Sequence, residues 1–530
     1  MAAFSDRTER RNETVHHTLV ALDLTLPFWR YLPMNRQSAP ACLLDSGMDP
    51  RKLGRFSFLG GDPFLIFRMK RQRDGTAPAP ANVEIIQRRA DNGSPLVSPH
   101  IHRVVDDPFT ALRLLLDRYR VPASFYDLTA IGYDGPTPPL LAGAMGYIGF
   151  ETACCTERLP DHGSDDIGLP DMYFLFLDTV LVHCHETGRS WLSCLGRGPD
   201  PASARRMASR LVTTWRERIA GFESNPPPEW TGPATATDDP DGDPRLPVTA
   251  HFGRQSYCRA VQRAKDHILA GDVFELCLSH RLESPLPGDP WDLYQELRRV
   301  NPAPFAAFLE LPEAQVVCAS PERFLRLEPD RTAESRPLKG TRPRGATPAA
   351  DEHLRQELIS SEKDRAENLM IVDLLRNDFG RVCEIGSVTV PELLLVEEYA
   401  TVFQLVSTIR GKLAAAHDSL DLIRACFPGG SMTGAPKIEA LKIIDAMEPV
   451  KRGIYAGAIG YLDFAGTLDL NIVIRSIVCR DERCYYNVGG AIVADSDPEA
   501  EYQETLDKAR ALQTALRNLA RVAADKGRSA

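Results

Sequence analysis

SSEKDRAENLMIVDLLRNDFGRV, residues 360–382, is the segment whose reading decides the fold. Ala366, Leu369, Met370 and Leu374 recur at helical spacing, so it reads as a helix with one apolar face. Asp364 and Glu367 are three residues apart and share a side of that helix. A second segment, ADSDPEAEYQETLDKARALQTAL (494–516), has the same character. Asp497 before Pro498 is an N-cap with proline at the first helical position. Glu501, Glu504 and Lys508 then form one stripe, while Leu506, Leu512 and Leu516 turn toward a core. Two helices that each offer carboxylates suit a hard cation such as magnesium, which takes one or two carboxylates, waters and an anionic substrate group. A solvated acidic edge is the plainer alternative.

Three further segments carry chemistry. In CFPGGSMTGAPKIEALKIIDAM (426–447) a glycine-rich loop, holding Ser431 and Gly434, runs into an amphipathic helix. The first N–H groups of such a helix form an anion site. Gly429 and Gly434 have the spacing of a nucleotide-binding loop, but Ala-Pro-Lys follows in place of Lys-Ser/Thr, which argues against a nucleotide. LDLNIVIRSIVC (468–479) reads as one buried strand, and Arg475 inside it requires an anion because an unpaired buried charge is costly. Its planar fork suits a carboxylate of a ligand or of the protein. NVGGAIVADS (487–496) adds Gly489 and Gly490, whose bare backbone allows close approach of a ligand. In CASPERFLRLEPDRTAESRPLKGTRPRG (318–345), Glu322 stands at the end of a strand-like run. Lys339 and Thr341 lie in a Pro-Leu-Lys-Gly-Thr turn. A partly desolvated lysine can shed its proton and act as a nucleophile, whereas a loop lysine in water cannot.

The bulk properties set the frame. The chain has 530 residues, 43% hydrophobic and 25% charged, as expected of a globular protein with a substantial core. Its net charge of -10 argues against nucleic-acid binding through a general basic surface. The polar N-terminus lacks a signal-peptide core, and no run approaches a membrane span. The 12 cysteines show no C-x-x-C pair or zinc spacing, which suits thiols in a reducing, cytoplasmic setting. Strand-like runs LLAGAMGYIGFE (140–151) and MYFLFLDTVLVHC (172–184) alternate with helices FTALRLLLDRY (109–119) and PASARRMASRLVTTWRERI (201–219). A Pro-, Gly- and Asp-rich stretch at 222–250 reads as an exposed linker between an N-terminal region, 1–221, and a catalytic region, 251–525. A mixed α/β protein follows.

SPERF, RPLKGT, DRAENLMIVDLLRND, PGGSMTGAPK, GAIGYL, GGAIVADS and EAEYQET occur here in the order they take in chorismate-utilising enzymes. The chain therefore resembles that family, which includes anthranilate, aminodeoxychorismate, isochorismate and salicylate synthases; the likeness is close over 251–520 and weaker upstream. It implies an α/β (α+β) fold with a large β-sandwich-like core flanked by helices and an active site in a deep cleft. It implies Mg²⁺ held by Glu367 and Glu504, with Glu501 and Asp364 close by. Arg475 and Tyr455, aided by Gly489, would hold the enolpyruvyl carboxylate, and Ser431, Gly434 and Lys508 would complete the pocket. Glu322 matches the family's acid/base glutamate. Anthranilate synthases resemble this segment but carry alanine where Lys339 stands, so Lys339 points to the aminodeoxychorismate branch, in which a neutral lysine attacks chorismate. Glu275-Leu276-Cys277-Leu278 supports the same branch. Gln404 stands where many members have histidine, and it retains hydrogen bonding without acidity; Ala491 replaces a common glycine. No Gly-x-Cys-x-Gly elbow with a downstream His-Glu pair occurs, so the resemblance implies a separate glutamine amidotransferase as ammonia source. LLDSG (43–47) and NPAPF (301–305) would border a tryptophan pocket near Ser46. An anthranilate synthase component I and a non-catalytic scaffold subunit are the competing readings.

Overall fold

The computed structural model describes residues 14–36, 40–49, 52–73, 80–90, 95–122, 124, 137–233, 246–399 and 402–529. The first thirteen residues and 234–245, the middle of the proline-rich stretch, lie outside them. Two twelve-stranded sheets dominate the described residues, each with eleven strands on one path and a twelfth off it: Gly434–Ala435 on Glu275–Pro285 in the first, Thr389–Glu398 on Val402–Lys412 in the second. The first runs Thr14–Leu22, Arg189–Gly198, Thr179–Cys184, Phe56–Gly61, Ala41–Asp45, Phe305–Glu310, Gln315–Ser320, Ser476–Arg480, Arg483–Ile492, Glu275–Pro285 and Thr249–Ala250. The second runs Leu338–Pro343, Val402–Lys412, Thr332–Arg336, Arg323–Leu327, Leu468–Asn471, Ala458–Asp463, Gly143–Ile148, Met172–Leu177, Leu65–Arg71, Ala81–Arg89 and Pro95–Asp106. Each sheet combines one block of strands from before the 222–250 stretch with one block from after it, and the blocks meet at a single strand pair. Ala41–Asp45 pairs with Phe305–Glu310, and Gly143–Ile148 pairs with Ala458–Asp463.

The period of two in a strand explains the layering. In Met172–Leu177 every side chain is buried. Tyr173, Leu175 and Leu177 meet the other sheet, while Met172, Phe174 and Phe176 meet an outer helical layer. Val180 and Val182 of the next strand enter the same inter-sheet core from the opposite side, and Leu181 faces a second helical layer. The result is the expected β-sandwich flanked by helices. Helix Pro201–Ser224 covers the first sheet through Trp215 and Ile219, while Pro108–Arg118 covers the second through Phe109 and Leu112.

Two runs expected to be single strands are each divided between the sheets. MYFLFLDTVLVHC breaks at Asp178 into Met172–Leu177 and Thr179–Cys184. LDLNIVIRSIVC breaks after Asn471, and Arg475 takes a left-handed φ of 53° before Ser476 begins the second strand. The cause is the same in both. Continuous apolar composition suits any strand buried on both faces, so it does not reveal which sheet each half joins. The proline-rich stretch is not wholly exposed. Helix Pro201–Ser224 extends into it, Leu246 is buried, and Trp230 Nε1 donates to Glu296 at 2.8 Å. No helix among the described residues is long and apolar enough to cross a membrane.

Asp178 makes the first division possible. It is buried, accepts from Arg89 Nη1 at 3.0 Å on both oxygens, and has Arg197 at 3.8 Å. Removing one member of a buried ion pair strands the other charge, at a cost of about 3–5 kcal/mol. Asp178→Ala is therefore expected to lower the urea midpoint by a corresponding amount; a variant as stable as the parent would refute this role.

Candidate active site

A cleft of about 740 Å³ opens where the sheets part. Among the residues singled out from sequence, it is lined by Glu322, Lys339, Thr341, Asp364, Glu367, Gln404, Ser431, Tyr455, Arg475, Gly489, Gly490, Glu504 and Lys508. Gly434 and Glu501 stand just outside it.

Glu322 follows strand Gln315–Ser320 and is buried. Burial pushes its carboxyl up to about 7, against the hydrogen bond it accepts from Ser431 Oγ at 2.7 Å. It is thus poised to carry or release a proton near neutrality, as a general acid must. Lys339 lies in strand Leu338–Pro343, not in the turn expected, and is buried. Its Nζ donates to Glu275 Oε1 and lies 3.8 Å from Glu367 Oε2. Burial alone would lower its pKa, but the carboxylates of Glu275 and Glu367 outweigh burial and raise it. The resting lysine is therefore an ammonium, which must shed a proton before it can act as a nucleophile.

The acidic helices do converge. Glu362–Gly380 starts at Ser361, whose side chain accepts from the Asp364 N–H, and Pro498–Ser529 follows Asp497. The face of the first helix differs from expectation. Ile371, Val372, Leu375 and Phe379 pack inward while Leu369 is 43% exposed. Asn368 Oδ1 accepts from Ser407 Oγ at 2.5 Å, which turns the neighbouring Glu367 into the cleft. Burial, opposed by Lys339, pushes Glu367 up to about 7. On the second helix Leu506 is only half-buried, because the core stripe runs through Thr505, Ala509, Leu512 and Leu516. Glu504 meets Lys508 Nζ at 2.7 Å; burial would raise it, but Lys508 and Lys363 hold it low.

No three His, Cys, Asp or Glu side chains form a ready-made metal cluster among the described residues. The donor set nevertheless fits a magnesium ion, which needs few carboxylates. Glu501 is buried, and its Oε2 has no protein hydrogen-bond partner. A Cβ built on Gly490 would stand 3.1 Å from that oxygen and 3.7 Å from Glu504 Oε1, so glycine keeps this corner open. The half-exposed Lys363 ammonium lies 3.3 Å from Glu501 and 3.9 Å from Glu367, supplying positive charge between the carboxylates.

Arg475 also lines the cleft. Its Nη1 donates to the Lys508 carbonyl, and among the described residues no carboxylate lies within ion-pair distance. Burial lowers its pKa, with Tyr455 and Glu504 opposing. A guanidinium so placed awaits a ligand anion. Lys508 Nζ donates to the Gly489 carbonyl at 2.8 Å. Gly489 itself is required by its neighbour strand, since a Cβ there would come within 2.5 Å of the Leu278 carbonyl.

Gly434 also serves the backbone rather than a ligand: its Cβ would meet the Glu275 carbonyl at 2.1 Å. At the helix start, Lys437 Nζ donates to Asp378 at 2.7 Å and to the Cys426 carbonyl at 2.6 Å. LLDSG and NPAPF do meet, with Gly47 N–H on the Ala303 carbonyl and Ser46 Oγ on that of Pro304. Sequence reasoning missed Glu275 as a site residue and missed Lys363. Two signals pointed to Glu275: its place in the branch-marking Glu275-Leu276-Cys277-Leu278, and a lone carboxylate opening an otherwise apolar strand.

A family model described as chorismate binding enzyme matches residues 115–514, and the chain belongs to that family. It is 47% identical over 378 residues to an aminodeoxychorismate synthase of Streptomyces pristinaespiralis, covering 71% of this chain and 51% of the relative. The chain thus spans about half that relative's length. It is 37% identical to an anthranilate synthase component 1 of Thermus thermophilus, covering 93% of this chain and 96% of the relative. The crystal structure of anthranilate synthase component I from Streptococcus pneumoniae superposes with a TM-score of 0.69 at 27% identity, over 87% of this chain and 92% of that one.

The raised carboxyl of Glu322 has a thermodynamic consequence. Its pKa is 4.5 unfolded and about 7 folded, so the folded state binds more protons between those values. Stability from this group is complete below 4.5 and is lost as pH rises through 7, on the order of 3 kcal/mol in all. Unfolding measured from pH 4.5 to 8 is expected to show a smaller decline for Glu322→Gln than for the parent. Equal declines would rule the assignment out.

Proposed function

We propose that this chain aminates chorismate to 4-amino-4-deoxychorismate, using ammonia from a separate glutamine amidotransferase. The observation that carries the reading is one cleft shared by a buried lysine, a glutamic acid whose carboxyl burial pushes up to about 7, and an arginine that among the described residues has no carboxylate partner. The aminodeoxychorismate synthase relative supports this branch. The designation of the anthranilate relative as a component 1 supports a second subunit.

Arg475 and Tyr455 would take the enolpyruvyl carboxylate and set the ring between Lys339 and Glu322. Lys339 gives up a proton to cleft water and attacks C2, and both conjugated ring double bonds shift, C1=C2 to C1=C6 and C5=C6 to C4=C5. Glu322 protonates the C4 hydroxyl, which leaves as water. Ammonia then adds at C4, both double bonds shift back, and the C2–N bond breaks to restore Lys339. The departing amine regains a proton and the added nitrogen loses one, so the enolpyruvyl group stays intact. Two easier displacements replace one difficult step. Glu367 and Glu504, with Glu501 nearby, would hold Mg²⁺, which supplies charge to anchor the ring carboxylate and relieves the hold of Glu367 on the lysine proton. Gln404 would donate or accept a hydrogen bond at the ring without acting as an acid.

The test is incubation of the purified chain with chorismate, Mg²⁺ and ammonium salt, read by mass spectrometry. Aminodeoxychorismate is expected, together with its loss in Lys339→Ala. Anthranilate with pyruvate would establish the competing anthranilate synthase, and no turnover the scaffold. Glu367→Gln is expected to raise the Mg²⁺ concentration needed for half-maximal rate at least tenfold, measured by titration of the chelated protein; an unchanged requirement would remove Glu367 from the cation site.

A further inference from the structure

We propose that Glu275 is the positioning residue of this cleft: its carboxylate holds the Lys339 amine at the point from which covalent attack is made. The proposal rests on the aminodeoxychorismate reading above and adds the residue that makes the lysine usable.

Lys339 needs such a partner. It stands on strand Leu338–Pro343, at the end of the second sheet, where the register against Val402–Lys412 slips between Leu338 and Thr341. The ladder therefore constrains its backbone weakly, and the side chain itself is a flexible four-carbon stem. Glu275 is the reverse. It opens strand Glu275–Pro285 of the first sheet and is 0% exposed. The Phe274 N–H donates to the Ala435 carbonyl at 2.7 Å, and that of Cys277 to the Thr433 carbonyl at 2.8 Å. Gly434, lacking a Cβ, lets the glycine-rich loop close against the Glu275 carbonyl. That gives the loop a part beyond presenting Ser431, since it locks the backbone from which Glu275 reaches across to the other sheet.

The contact is single-oxygen. Lys339 Nζ donates to Oε1 of Glu275, whereas Oε2 has no protein partner. The amine is thereby pinned through one bond and keeps its remaining valences for Glu367, at 3.8 Å, and for substrate. Misplacing a reacting group by about 1 Å can cost on the order of a hundredfold in rate. Side-chain length at position 275 is thus the decisive quantity, more than its charge.

Three variants separate these. Glu275→Gln keeps the length and an acceptor oxygen and removes the charge; Glu275→Asp keeps the charge and withdraws the oxygen; Glu275→Ala removes both. With chorismate and ammonium salt, Glu275→Gln is expected to retain kcat within about fivefold. Glu275→Asp and Glu275→Ala are expected to lose about a hundredfold. The KM for chorismate should stay within about threefold throughout. Glu275→Asp near parental kcat, or Glu275→Gln as poor as Glu275→Ala, would overturn the proposal, as would an unimpaired Glu275→Ala. Should Glu275→Ala not fold, the Asp–Gln comparison decides alone. The parent is assayed alongside: a parent that releases anthranilate and pyruvate removes the reading on which the proposal rests, whereas a parent that aminates chorismate beside variants that disobey the order removes only the role of Glu275.

Discussion

Between Asn471 and Ser476 the chain leaves one sheet and enters the other, and the cleft is organised around that passage. Leu468 and Leu470 belong to the outer core of the second sheet, Val473 to the layer between the sheets, and Ile477 to the outer core of the first. The crossing segment is tied on both sides: the Ile472 N–H bonds the Glu322 carbonyl, the Val473 N–H that of Gly457, and the Ala319 N–H that of Arg475. Glu322, Tyr455 and Arg475 are thus placed relative to one another by backbone hydrogen bonds of a single short segment. The left-handed turn at Arg475 aims a guanidinium into the cleft where a regular strand would have sent it to a sheet face.

The second constraint is desolvated charge. Burial raises Glu322 and Glu367 to about 7, and Lys339 stays charged only because two carboxylates face it. Among the described residues Arg475 is left with the Lys508 carbonyl and no carboxylate within ion-pair distance. The Lys339–Glu275 pair joins the two sheets, so this part of the cleft's electrostatics exists only when both sheets are assembled.

Much of this was legible in the residues. The carboxylate pairs on two helices and the need of Arg475 for an anion were readable from spacing and from the cost of burying charge, whereas the weight given to Glu322 and Lys339 came from the family resemblance. What misled was local pattern. Ala366, Leu369, Met370 and Leu374 have helical periodicity, yet the buried face of that helix is Glu367, Asn368, Ile371, Leu375 and Phe379. Hydrophobicity does not foresee a carboxylate and an amide facing inward, because their partners, Lys339 and Ser407, come from strands far along the chain. Gly434 was read as a ligand contact, whereas its freedom is spent on packing against a backbone carbonyl.

By itself the sequence determined the alternation of helices and strands, the family likeness and the inventory of reactive groups, since each depends on local propensity, period or order along the chain. Tertiary structure alone decided that two apolar runs would each divide between sheets and that Glu275 would meet Lys339. It also decided that the lysine would rest as an ammonium. Those outcomes depend on which buried surfaces face each other and which charges share a desolvated space, and both are set only when residues distant in sequence are brought together.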